Sequence, residues 1–161
     1  NIPTSTLQSN IWYHLGLAYF LQGDFKNALV AYRECLKVSR NDDMLCATTD
    51  WLVMTCWRLG LREEADRALA SIHREMTILE NTAYHRRLLL YKGELPVDSL
   101  LRVEALDDLT VATQGFGVAH WYLVNGDSTR ATAIFGRITG GTHWAAFGFI
   151  AAEAELLRLQ Q

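Results

Sequence analysis

Four glycines set the frame of this chain. Gly23, Gly60, Gly93 and Gly126 stand 37, 33 and 33 residues apart, and each closes an apolar stretch of helical periodicity. Around them run FLQGDFKNALVAY, WRLGLREEADRAL, LYKGELPVDSLL and YLVNGDSTRATAIF, so a second helical stretch opens within a few residues each time. Glycine suits a turn between helices because it takes a positive φ without the Cβ clash that other residues meet. Asp24 and Asp127 stand where a side chain can cap the next helix, and Pro96 carries the φ that a first helical turn uses. A period of this length built from paired helices predicts stacked helical hairpins.

The first hairpin shows why stacking is required. Residues 12, 15, 16 and 19 form one face of its first helix, residues 10, 13, 17 and 20 form another, and both are largely apolar. A helix apolar on two faces has to be covered on two sides, which a neighbouring hairpin does. The spacing predicts one domain over 1–161, with units at about 9–42, 46–79, 79–111 and 112–141. A terminal helix over 142–159 follows, in which Glu153, Glu155 and Arg158 suit a solvent-facing cap. The third unit is degenerate: its second helix, about 96–103, is short, and His85 and Arg86 fall where packing residues belong. With half its 161 residues hydrophobic and two prolines, the chain reads as ordered. A chain of this length buries about two-thirds of its unfolded surface, which needs no metal or disulfide.

Particular residues narrow the architecture. Trp12, Leu15, Gly16 and Tyr19, followed by Ala28 and Tyr32, fit the pattern W-x2-L-G-x2-Y then A-x3-F with one ring exchanged for another. On these residues the first unit resembles the tetratricopeptide repeat. The second unit keeps Leu52 and Ala65, the fourth keeps Tyr122, Ala131 and Phe135, and WAAFGFIA at 144–151 is a partial echo. The resemblance implies an all-α, right-handed α-α superhelix, a tetratricopeptide-like solenoid of about four hairpins with a C-terminal capping helix. It also implies a protein–protein interaction module, or adaptor. The layout of residues 80–160 is similar to the C-terminal half of bacterial adaptors of this family, including a lipoprotein class that docks cell-wall hydrolases. That likeness implies an adaptor role and allows homodimerisation.

In that family the first helix of each hairpin lines a concave groove for an extended peptide or a helix. Carried over by the glycine offsets, the groove row becomes Tyr13, Leu17 and Phe20, then Asp50, Met54 and Trp57, then Arg87, then Phe116 and His120. Rings make good binding anchors because they offer large contact area for little rotamer entropy. Asp50 suits a basic group or backbone N–H of a peptide, Arg87 a carboxylate, and His120 would make binding pH-dependent near neutrality. The plainer reading is packing. For Leu17 and Met54 packing is the readier reading, for the rings the two stand level, and Arg86 and Arg87 read as a wetted helix face. On the plainer reading the chain is a structural or self-associating domain whose aromatic faces are buried in a homodimer or against a missing N-terminal part. The Lys and Asn of a carboxylate clamp are missing from the matching places, which hold Tyr13, Leu17, Asp50 and Met54.

Little in the sequence points to catalysis. The five histidines fall at no H-x3-H or HExxH spacing, no CxxC occurs, and GRITGGTH at 136–143 lacks the Lys-Ser/Thr of a phosphate loop. NDD at 41–43 reads as helix capping rather than a metal site. No enzyme activity, cofactor or metal is therefore expected, and the expected partner is a protein or peptide. A net charge of −3 without a basic stripe argues against nucleic acid. The longest apolar run, 144–152, falls short of the ~20 residues that span a bilayer. Cys35, Cys46 and Cys56 are odd in number and sit at helical positions, which leans toward packed thiols in a reducing compartment. The adaptor likeness keeps a periplasmic location open. The opening NIPTSTLQSN, without an initiator Met, reads as the start of a mature or excised fragment, so a missing leader says little about compartment.

Overall fold

The computed structural model describes residues 4–101 and 108–161. Among these, all regular structure is helical: α1 (Leu7–Gln22), α2 (Phe25–Val38), α3 (Asp42–Arg58), α4 (Arg62–Ala70), α5 (Thr82–Tyr91), α6 (Asp98–Leu101), α7 (Asp108–Val124), α8 (Ser128–Thr139) and α9 (Phe147–Leu159). The helices pack as hairpins of the tetratricopeptide-like kind within two compact units, Asn1–Lys92 and Gly93–Gln161. The boundary runs through the third expected hairpin. There α5 packs on α3 in the first unit, and α6 packs on α7 in the second. The short helix expected at about 96–103 starts at Asp98; residues 102–107, which also belong to the expected 79–111 unit, lie outside the described residues.

The repeat glycines behave as their spacing predicts. Gly23, Gly60, Gly93 and Gly126 have φ of 81°, 73°, 74° and 88°, and no other described residue has a positive φ. The closing bonds recur. Gly23 N–H donates to Phe20 O and Asp24 N–H to Tyr19 O; Gly60 and Leu61 repeat this onto Trp57 and Cys56, and Gly126 and Asp127 onto Leu123 and Tyr122. Asp24 then accepts from Asn27 N–H at 3.2 Å and Asp127 from Arg130 N–H at 3.0 Å, capping α2 and α8. Such caps contribute about 1 kcal/mol each.

Close packing follows from small residues. A Cβ on Gly16 would stand 2.7 Å from the Tyr32 ring, so α1 and α2 meet at that point without room for a side chain. Gly16→Leu should therefore lower unfolding free energy by about 1–3 kcal/mol through overpacking, read as a shift in the thermal midpoint. An unchanged midpoint would refute the assignment of Gly16 to the α1–α2 contact.

Helix α3 is the centre of the first unit. With α1, α2, α4 and α5 around it, every residue from Met44 to Cys56 is buried except Leu45. The NDD stretch serves this helix and the segment after α4. Asn41 caps α3 by accepting from Met44 N–H at 2.9 Å. Asp42 accepts from Thr77 N–H at 2.7 Å, and Asp43 accepts from Leu79, Glu80 and Asn81 N–H, each at 2.8 Å. The two carboxylates thus bind the main chain that leads into α5. Burial alone would raise the Asp43 carboxyl, but those three N–H groups outweigh it and hold it below the usual carboxylate range.

In the second unit α7, α8 and α9 pack pairwise around Phe116, Phe135, Ile138 and Phe149. A Cβ on Gly148 would fall 2.1 Å from the Ala112 carbonyl oxygen, so α9 crosses α7 with main chain against main chain. Two expectations for the terminal helix need correction. It begins at Phe147, not at 142, because turn bonds such as Trp144 N–H to Thr142 O and Ala146 N–H to His143 O occupy the preceding stretch. Glu155 does not face solvent but is fully buried, with its carboxylate 2.7 Å from Arg158 Nη1, while Leu157 and Leu159 are exposed.

Candidate functional site

The expected groove row converges in the first unit on the contact of α1, α3 and α5. Asp50 and Arg87 are buried there, with Arg87 Nη2 2.7 Å from Asp50 Oδ2. Arg87 is not the wetted-face residue its sequence context suggests. Its Nη2 also lies 3.3 Å from the Met54 sulfur, its Nε donates to the Tyr91 hydroxyl at 3.3 Å, and its guanidinium stands over the rings of Tyr84 and Trp51 at 5.2 and 5.9 Å. Tyr13 joins from α1: its hydroxyl accepts from Trp51 Nε1–H at 2.9 Å and donates to the Tyr84 hydroxyl at 3.1 Å.

The electrostatics of this cluster follow from its burial. Loss of water pushes the Asp50 carboxyl up to about 7, against the downward pull of the Arg87 charge and of the Tyr91 hydroxyl. For Arg87, burial works against the charge, but Asp50, Tyr91 and Tyr84 outweigh it and hold the guanidinium protonated. Burial also raises the phenols of Tyr13 and Tyr91, so both remain neutral donors.

The remaining row members divide by unit. Phe20 is fully buried between Phe25 and Trp51, with ring centroids 5.2 and 5.1 Å away, and Leu17 is buried on the same face of α1. Trp57 is half-buried at the end of α3, edge-on to Tyr91 at 4.8 Å, with Arg62 5.9 Å from its ring. Beside it Arg58 stands 4.7 Å over the ring of Phe25, which is also half-buried. Phe116 and His120 lie in the core of the second unit, their rings 6.1 Å apart and Phe135 5.7 Å from Phe116. Sequence reasoning missed Trp51, Tyr84 and Tyr91. The signal was present as Tyr84-x2-Arg87-x3-Tyr91, which puts two rings on the helix face of one cation.

Other candidate chemistry is absorbed by the core. Cys35, Cys46 and Cys56 are buried and free of disulfides. Burial raises all three thiols, Cys46 and Cys56 to about 12, so the nucleophilic thiolate is strongly disfavoured. Among the described residues no three His, Cys, Asp or Glu side chains gather as metal ligands, and no helix is long and apolar enough to cross a membrane. Away from the row, a shallow groove has Leu36, Leu52 and Ala68 at its floor. At its rim Arg33 meets Glu64 through two bonds of 2.7 and 2.6 Å.

Turn glycines, helical hairpins and a first-helix row of rings define a helical repeat protein. Residues 9–42, which span most of α1, all of α2 and the approach to α3, match the family model of the tetratricopeptide repeat, so the first hairpin is similar to such a repeat. No curated protein and no solved structure matches the chain.

Proposed function

We infer that the chain is a non-catalytic adaptor that holds a peptide or amphipathic helix of a partner protein against the first helices of its hairpins. The observation that carries this reading is the tetratricopeptide repeat at 9–42, since that repeat generally serves protein–protein interaction. Within the row, Trp57 is the member with accessible surface in the first unit. Phe25, Trp57 and Tyr91, with Arg58 and Arg62 beside them, make an aromatic and cationic rim. Such a rim suits a segment that carries an apolar anchor flanked by acidic residues. Tyr13, Leu17, Phe20, Asp50, Met54 and Arg87 then act from behind, fixing the backbone on which the rim stands.

The test is a comparison of proteins retained from a native extract by the wild-type chain and by Trp57→Ala, after both show the same thermal midpoint. Loss of a buried ring at the centre of an interface costs about 2 kcal/mol, close to a 30-fold weakening. A partner held by the wild type and lost by the folded variant supports the rim. Identical retained sets would move binding elsewhere on the protein.

A further inference from the structure

We propose that Tyr91 is the residue that sets the ring of Trp57 for the partner segment, a positioning role that rests on the rim reading above. The repeat shows that the contact between them is a departure. Phe20 and Trp57 are equivalent under the 37-residue spacing, and Trp51 and Tyr84 under the 33-residue one. At the first step Phe20 is covered by Trp51, ring centroids 5.1 Å apart, and is fully buried. The same contact one repeat later would set Tyr84 against Trp57. Tyr84 is engaged elsewhere: its hydroxyl meets that of Tyr13 at 3.1 Å, and the Arg87 guanidinium stands 5.2 Å over its ring. Tyr91, about two turns further along α5, takes the place beside Trp57, edge-on at 4.8 Å with the ring planes at 70°. Trp57 is consequently half-buried where its counterpart is sealed in the core.

What makes Tyr91 a fixed support is its hydroxyl. It accepts from Arg87 Nε–H at 3.3 Å, and Arg87 is held in turn by Asp50, with Nη2 2.7 Å from Oδ2. Arg87 and Asp50 are both buried, so the anchor of Tyr91 lies in the core while its ring reaches the half-buried Trp57. An indole near a helix end turns between staggered rotamers unless a neighbour selects one. Arg62, 5.9 Å from the Trp57 ring, is exposed, and its long side chain has rotamer freedom of its own. Tyr91 is tied at its far end and can make the selection. A ring already held in one orientation loses less freedom on association, so affinity rises without a new contact to the partner. The contacts from Asp50 through Arg87 and Tyr91 to Trp57 thus carry the order of the core out to the rim.

The experiment reads the indole directly. The chain has five tryptophans, so labelling with fluorotryptophan gives five fluorine resonances, and Trp57→Phe identifies the one that belongs to Trp57. In Tyr91→Leu the Trp57 line should move toward its position in the unfolded chain. Tyr91→Phe keeps the ring edge and loses only the bond to Arg87, so there the line should stay nearer its place and broaden, while the Trp51 line holds. The second arm is retention from a native extract. The protein that the wild type holds and Trp57→Ala loses should be held about tenfold more weakly by Tyr91→Leu, and Tyr91→Phe should fall between. A Trp57 line neither moved nor broadened in the two variants would overturn the positioning role. So would a displaced line with full retention, because the setting of the ring would then not matter to the partner. Displacement of the Trp51 line together with that of Trp57 in Tyr91→Phe would assign Tyr91 to core packing and overturn it equally. Identical retained sets for wild type and Trp57→Ala would overturn the rim reading, and this role with it, whatever the fluorine lines show.

Discussion

Arg87→Ala should lower the unfolding free energy of the first unit by about 3–5 kcal/mol, read from urea or guanidinium midpoints. The magnitude comes from what is left behind. Asp50 is fully buried beside Arg87, and without the guanidinium its carboxylate has no cation to offset lost hydration. Tyr91 loses its donor and the Tyr84 ring its cation in the same step. The penalty should also depend on pH, and its direction is fixed. Burial already sets the Asp50 carboxyl to about 7, above its unfolded value near 3.9, and removing Arg87 takes away its strongest downward influence. A group raised in the folded state stabilises below its unfolded pKa and loses that contribution as pH rises through the folded pKa. The variant should accordingly be least destabilised near pH 5 and most destabilised above pH 8. Asp50→Leu/Arg87→Met provides the contrast: replacing both charges by apolar groups of similar volume should be near neutral or stabilising, because neither charge is then stranded. If Arg87→Ala and the double variant cost the same, the pair is packing alone and its charges contribute nothing specific.

The same cluster shows where the sequence stops informing. The hairpins were legible because each turn needs a residue tolerant of positive φ, and glycine at Gly23, Gly60, Gly93 and Gly126 announces that requirement locally. The caps Asp24, Asn41 and Asp127 were legible for the same reason, since a cap acts within three residues. The fate of Asp50 was not. Asp50 with Thr48, Thr49 and Thr55 gives α3 the look of a helix with a polar side, yet all four are buried, because four other helices surround it. Which helices surround it depends on contacts more than thirty residues away, such as Arg87 with Asp50 and Tyr84 with Tyr13, and no local pattern encodes these. The exposed side of α1 is the converse. Leu7, Ile11 and Leu15 look like core by residue type, yet among the described residues they lie on the surface.

Asp43→Ala should cost about 3 kcal/mol and should act on a segment that is distant in sequence. The carboxylate accepts from Leu79, Glu80 and Asn81 N–H, and Asn81 Nδ2 returns a bond to Asp43 O at 3.1 Å. Three consecutive main-chain donors thereby depend on one side chain, and alanine leaves them without that acceptor. The stretch between α4 and α5 has no helical bonds of its own to replace it. Hydrogen exchange should therefore quicken at Leu79, Glu80 and Asn81 far more than in α1 or α2, a pattern that uniform destabilisation would not produce. Asp43→Asn keeps the shape and one acceptor oxygen, so it should cost roughly half as much. Acid supplies the independent check. The folded carboxyl is held below its unfolded value, so its contribution is complete above about pH 4 and is lost as pH falls through the lower folded pKa. The stability gap between wild type and Asp43→Ala should then narrow on acidification below pH 4 and hold steady from pH 5 to 8. A gap that stayed constant down to pH 2 would mean that the ionised carboxylate is not what binds this segment to α3.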